Sequence, residues 1–316
     1  MDEAMPVYYR RVEIDGLSVF YRESGPADAP TILLLHGFPS SSRMYEPLMS
    51  RLSDNYRLIA PDYVGFGYSG APIATEYSYT FERLAHVVMA FVDALGLQRY
   101  AMYLHDYGGP IGMRLAEWDA SRIVALVIQN AVLRDEGLGP LWETRRRFWQ
   151  DRAPYELALR ENFFSIAATR QRHVGSNGES ETINPDRWFD EFAFLNRPGQ
   201  FDIQADLFYS YQTNVARYNE WQAWLRAHKP PTLIVWGRYD RSFMLDEVAA
   251  CQRDLPDAEV HIIDAGHFAV CDRPSEIARI IRTFSSALLH SLYHSRVAPL
   301  RLTSVERFES VTFSRC

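Results

Sequence analysis

The stretch Tyr103-Leu104-His105-Asp106-Tyr107-Gly108-Gly109-Pro110 sets one carboxylate between an apolar run and a glycine-rich helix start. Residues Ala101 to Leu104 predict a buried strand, and Gly108 opens a predicted helix. Pro110 fits the first turn of that helix, where its missing N–H is not required. Gly108 and Gly109 let the chain pass close to itself. Asp106 is thereby left on a tight, strained turn that throws its side chain into the open, the layout of a nucleophile elbow. Elbows of this kind commonly carry Ser in G-x-S-x-G; here the residue is Asp106. A carboxylate attacks an sp3 carbon in a displacement, forming an alkyl ester that water then opens, so carbon bearing a halide or an epoxide ring is its natural target. An aspartate before a glycine-rich helix is also an ordinary N-cap, so the assignment needs partners.

Three other segments supply them. His36-Gly37-Phe38-Pro39 follows the apolar run Thr31 to Leu35, so the backbone N–H groups of Phe38 and Tyr107 are the candidate oxyanion hole. Val235-Trp236-Gly237-Arg238-Tyr239-Asp240 ends a strand in a carboxylate, and Asp264-Ala265-Gly266-His267-Phe268 ends the next in a histidine. Asp106, Asp240 and His267 thus stand in the chain order nucleophile, acid, base, and are the candidate catalytic residues. His105 beside His36 has no third ligand at metal spacing, so neither metal nor cofactor is expected.

Around these segments strand and helix alternate. Val12, Ile14, Asp15-Gly16, Leu17, Val19 and Tyr21 predict a hairpin with an Asp-Gly turn. A helix around Met44 to Leu52 and a strand over Tyr56 to Ala60 follow. Phe81, Leu84, Val88, Phe91, Val92 and Leu95 recur at helical spacing, between Thr80 as N-cap and Gly96 as stop. Val124 to Ile128, Thr232 to Trp236 and Val260 to Ile263 predict further buried strands, and Ser275 to Leu289 a final helix. The pattern predicts an α/β fold with a mostly parallel sheet flanked by helices. Between Leu133 and Ala227 no buried-strand pattern occurs, yet Trp142, Trp149, Trp188, Trp221 and Trp224 fall there. The expected organisation is a core over residues 1–132 and 228–289, a helical cap or lid inserted over 133–227, and a tail of unknown role over 290–316. Arg145, Arg146 and Arg147 form the densest basic run and are expected to be a solvated helix face on the lid.

With 316 residues, 47% of them hydrophobic, the chain can bury a substantial core, which argues against disorder. A formal charge of −7 leaves no basic surplus for nucleic acid. Cys251, Cys271 and Cys316 form no C-x-x-C pair and read as free thiols in a reducing, cytoplasmic setting. No apolar run has the length of a membrane span, so no membrane partner is expected.

Taken together, H-G-F-P, D-Y-V-G-F-G-Y-S over Asp62 to Ser69, H-D-Y-G-G, W-G-R-Y-D and D-A-G-H-F resemble the epoxide hydrolase and haloalkane dehalogenase branch of the α/β-hydrolase superfamily. The resemblance spans roughly residues 10 to 289 and implies an α/β-hydrolase fold with a helical cap. It implies an ester on Asp106, hydrolysed by water that His267 activates with Asp240. Haloalkane dehalogenases usually carry Trp after the nucleophile and Asn after His-Gly, where this chain has Tyr107 and Phe38. Fluoroacetate dehalogenases carry arginines just after the nucleophile, a stretch holding Tyr107 and Pro110 here. Epoxide hydrolysis to a diol is therefore the leading expectation, with carbon–halogen hydrolysis as the alternative and non-hydrolytic binding or lyase use of the fold as a third. Tyr211, Tyr209 and Tyr155, with His36, are the candidate substrate contacts, and the expected partner is a small, uncharged organic molecule.

Overall fold

In a computed structural model, which describes residues 5–174, 181 and 183–294, β1 (Tyr8–Ile14) turns into β2 (Leu17–Ser24) through Asp15 and Gly16. Both turn residues have positive φ, 49° and 77°, as a tight two-residue hairpin turn requires. Six strands follow: β3 (Thr31–Leu35), β4 (Arg57–Pro61), β5 (Tyr100–His105), β6 (Ile123–Gln129), β7 (Thr232–Gly237) and β8 (Glu259–Ile263). They form one sheet in the order β1-β2-β4-β3-β5-β6-β7-β8. Only the pairings of β2 with β1 and β4 are antiparallel, so the sheet is mostly parallel from β4 to β8.

The central strands are apolar on both faces because helices cover both. Leu33, Leu35, Met102, Leu104, Leu126 and Ile128 share one core with α2 (Phe81–Ala94) and α3 (Gly108–Trp118). Their neighbours in sequence, Ile32, Leu34, Ala101, Tyr103, Ala125 and Val127, face the other core. That core is closed by α1 (Glu46–Leu52) and by the last described helix, which starts at Pro274. Each fully buried Leu or Ile contributes about 1.5–3 kcal/mol, which makes this alternation the main determinant of the sheet. Thr80 caps α2 by accepting from the Arg83 N–H at 3.1 Å, and Gly96 ends it at φ 65°. The helix expected from Met44 starts two residues later, because Ser42–Tyr45 forms a separate 3-10 turn capped by Ser41.

Between β6 and β7 the described residues form seven α-helices: α4 (Trp142–Gln150), α5 (Arg152–Phe163), α6 (Ile166–Val174), α7 (Asp186–Leu195), α8 (Gln200–Ser210), α9 (Gln212–Val215) and α10 (Tyr218–His228). Their aromatic side chains pack onto residues that follow the strand ends. Phe208 meets Phe38 after β3, Tyr211 meets Tyr107 after β5, and Trp142 meets Phe243 after β7. The chain closes with α11 (Asp246–Asp254), α12 (Ala269–Asp272) and α13 (Pro274–His294). The remainder of the expected tail, from residue 295, lies outside the described residues. No helix among the described residues is long and apolar enough to cross a membrane. Cys251 and Cys271 are buried free thiols.

Candidate active site

Asp106 ends β5 with φ 48°, a left-handed conformation that costs a non-glycine residue about 1–2 kcal/mol. Packing holds it there. A Cβ on Gly37 would stand 2.2 Å from the Asp106 Cβ, and one on Gly108 would stand 2.1 Å from the Leu35 carbonyl oxygen, so glycine alone fits either crossing. The Asp106 N–H donates to the Asn130 carbonyl at 3.2 Å, and the Gly109 N–H donates to the Asp106 carbonyl at 3.0 Å. Leu104, large for the residue two before an elbow, is accommodated by Gly112, where a Cβ would lie 2.3 Å from its Cδ2.

The Phe38 N–H donates to Asp106 Oδ1 at 2.7 Å, and the Tyr107 N–H also bonds this carboxylate. Oδ2 lies 3.7 Å from His267 Nε2. His267 Nδ1–H donates to Asp240 Oδ2 at 2.7 Å, a bond that leaves Nε2 with its lone pair toward Asp106. Asp240 Oδ1 accepts from the Ser242 and Phe243 N–H groups at 2.7 and 3.1 Å. Asn130, at φ 46°, donates through Nδ2 to Asp240 Oδ2 at 2.8 Å and accepts through Oδ1 from the Gly237 N–H at 2.9 Å. Gln129 Nε2 donates to the His267 carbonyl at 2.9 Å. Asp106, Asp240 and His267, 161 residues apart at the extremes, thus meet at the carboxyl ends of β5, β7 and β8.

Burial raises the Asp106 pKa, and His267, the Phe38 and Tyr107 amides and Arg145 offset part of that rise. Burial opposes the charged form of His267, but Asp240 and Asp106 outweigh it and the pKa rises. The arrangement sets one carboxylate oxygen, Oδ2, beside a base whose other nitrogen is fixed by a second carboxylate. Chemically it can attack carbon and then activate water.

The remaining candidates divide. Tyr211 is buried, with its ring 5.9 Å from that of Tyr107 and 4.5 Å from that of Trp142. Tyr209, two residues earlier, is 39% exposed and packs against Phe148 and Arg152, away from Tyr107. Tyr155 is half-buried on α5 and packs into the core without any described contact to the triad. His36 is not in the lining of the cavity beside His267. It is fully buried, stacks on Tyr63 at 4.1 Å, donates to the Gly37 carbonyl and accepts from the Tyr63 N–H, and burial pushes its pKa down to about 4. His105 donates to the Gln129 carbonyl at 3.1 Å. Among the described residues no cluster of three or more His, Cys, Asp or Glu could hold a metal ion.

The basic run requires a correction. Arg146 and Arg147 are on the surface, but Arg145 is only 8% exposed and faces inward, over Trp142. That cavity, of about 400 Å³, is lined by Arg145, Arg172, Phe163, Asp240, Ser242 and His267 among others, and Asp106, 3.7 Å from His267 Nε2, is not in its lining. Sequence reading missed Asn130, Gln129, Arg145 and Arg172. Polar residues ending the apolar run of β6 were a signal for the first two. The three-residue spacing of Trp142, Arg145 and Phe148, all buried on one face of α4, was a signal for the third.

The chain belongs to the α/β-hydrolase fold family, whose pattern matches residues 30–274. It is an enzyme, and the proteins it is similar to include haloalkane dehalogenases and an epoxide hydrolase. An uncharacterized hydrolase of Saccharomyces cerevisiae, YNR064C, is 36% identical over 83% of this chain and 91% of its own. Haloalkane dehalogenase 2 of Mycobacterium bovis is 29% identical over 80% of this chain and 86% of its own. Among solved structures, haloalkane dehalogenase DbeA of Bradyrhizobium elkani is 20% identical and aligns with a TM-score of 0.75, covering 90% of this chain and 100% of its own.

Proposed function

We propose that this hydrolase opens epoxides through an ester on Asp106, with residues 133–227 acting as a cap over the site. The observation that carries the reading is the split carboxylate: Oδ1 is held by the Phe38 amide, and Oδ2 is left toward His267. In the first step Oδ2 attacks a ring carbon, the carbon–oxygen bond breaks, and the ring oxygen takes a proton from a hydroxyl of the cap. Tyr211, buried against Tyr107 with its hydroxyl beside that of Tyr218, supports that donor role. In the second step His267 Nε2 takes a proton from water, and the hydroxide adds to the ester carbonyl while the Phe38 and Tyr107 amides carry the negative Oδ1. Collapse expels the diol oxygen, which takes the proton of His267, and the second proton of the water returns to the cap phenolate, so that the Asp106 carboxylate and the cap hydroxyl are both restored. Oδ2 leaves in the product, and the water oxygen stays on Asp106.

A single turnover in heavy-oxygen water is therefore expected to label Asp106 and leave the diol unlabelled, as read by mass spectrometry of peptide and product. Label in the diol on the first turnover would mean that water attacks the epoxide directly, and the ester reading would fall. The second reading, carbon–halogen hydrolysis by the same residues, is favoured by the name of the mycobacterial relative. Against it stand Tyr107 and Phe38, which offer no indole or amide side chain to a departing halide.

The pH dependence follows from the two shifts. Asp106 must be ionised to attack, so ester formation is expected to fail as pH drops through a midpoint above the ordinary 3.8. His267 must be neutral to take a proton, so ester hydrolysis is expected to fail earlier, through a midpoint above 6.5. Pre-steady-state kinetics on one epoxide should show ester accumulating between the two midpoints. Coincident midpoints would contradict the separate roles.

A further inference from the structure

Two arginines of the inserted helices stand in the cavity wall without an anion. The Arg145 guanidinium carbon lies 4.0 Å from the ring centre of Trp142, 4.9 Å from that of Phe163 and 4.8 Å from that of Phe208, and its Nε has no hydrogen-bond partner. Arg172 lies 4.9 Å over the Phe38 ring, donates from Nη2 to the Phe163 carbonyl at 2.6 Å, and leaves Nη1 unpartnered. Neither forms an ion pair with a carboxylate of the described residues. Arginines buried elsewhere do: Arg22 with Glu46, Arg114 with Glu82, and Arg134 with both Glu247 and Asp254. Arg145 is buried and Arg172 half-buried, and the Asp106 carboxylate acts on both only through space, so a guanidinium pair without an ion-paired carboxylate, repelling one another, is costly. Burial and the charge of Arg145 push the Arg172 pKa down to about 10, still charged at neutral pH.

We propose that Arg145 and Arg172 together hold an anionic group, a carboxylate or a phosphate, at the end of the substrate remote from the reacting carbon. The inference rests on the Asp106 reading and revises the expectation of an uncharged substrate: the enzyme opens epoxides that carry a negative charge. Aromatic rings pack against both guanidinium groups, and each keeps an N–H donor without a protein partner, which suits an oxyanion in the cavity they share. Both side chains line the cavity that reaches His267, whose size of about 400 Å³ lies in the range of small-molecule sites. The pair also offsets the repulsion an anion meets on approaching the Asp106 carboxylate.

The test uses probes without an electrophile, so that it is separate from the ester chemistry. Binding of phenylacetate, benzylphosphonate and phenylacetamide to the full-length protein would be measured by calorimetry, with wild type, Arg145→Gln, Arg172→Gln and Arg145→Lys. At least one anion is expected to bind wild type about tenfold or more tighter than the amide, and which one wins separates carboxylate from phosphate. Each Gln variant should lose that preference while keeping its affinity for the amide, and Arg145→Lys should recover part of it. The ligand-free Gln variants should melt no lower than wild type, because each removes a charge without an ion-paired carboxylate. Equal binding of the amide and both anions by wild type overturns the proposal without need of any variant, as does a preference that survives both Gln substitutions. If the preference holds but no epoxide ever alkylates Asp106, the reaction reading fails and the anion site stands.

Discussion

A His267→Gln variant given an epoxide is expected to add the whole mass of that epoxide to Asp106 once, and then to stall. Attack needs only the Asp106 carboxylate, whose Oδ1 keeps its bond from the Phe38 amide in the variant. Release needs a base 3.7 Å from Oδ2, and glutamine supplies none. Loss of such a base lowers turnover by about ten-thousand-fold, so the ester outlives the time of a mass measurement. Intact-protein mass spectrometry followed by peptide mapping reads the result. A bromoalkane that leaves its alkyl group without the halogen would establish the second reading in place of the first. A folded variant that takes up nothing from either panel would remove the ester mechanism itself.

Gly108→Ala is expected to cost at least about 4 kcal/mol, enough to leave a protein of ordinary stability largely unfolded. Its methyl group would lie 2.1 Å from the Leu35 carbonyl oxygen and 2.9 Å from the Leu35 Cβ. That oxygen cannot step aside. It accepts the Tyr45 hydroxyl at 2.8 Å, and Leu35 is paired with Leu104 across the sheet. Gly109→Ala is the control, because its methyl would meet only the Ala131 Cβ, at 3.1 Å, and a shift of a few tenths of an ångström relieves that contact. Urea unfolding of the two variants gives the comparison. Equal losses would mean that the close crossing of helix and strand is not what fixes glycine at 108.

Most of the sheet was legible because its strands are local apolar runs bounded by turn residues. Thr31–Leu35 was read to the residue, and β5 to β8 to within two residues, as was α2 through Thr80 and Gly96. The triad was legible because each member ends a strand, in an order that limits the alternatives. What was not legible depended on which way a helix faces its neighbours. Arg145, Arg146 and Arg147 are one composition signal, yet the rotation of α4 buries the first and exposes the others. Tyr209 and Tyr211 were equivalent in sequence, and the bend from α8 into α9 turns only Tyr211 toward Tyr107. Such facing is set by contacts far along the chain, here with Phe38, Tyr107 and Phe243, and leaves no local trace.

The bonds that orient Asp106, Asp240 and His267 come from Phe38, Gln129, Asn130, Ser242 and Phe243, all outside α4 to α10. Arg145 and Arg172, which line the cavity, and Phe208 and Tyr211, which pack on Phe38 and Tyr107, all lie within residues 142–228. On the proposed reading, reactivity and choice of substrate would therefore be written in separable stretches of the gene. A library confined to codons 142–228 would change what is admitted while inheriting a working nucleophile and base, and a segment grafted from a relative would be read against the same chemistry.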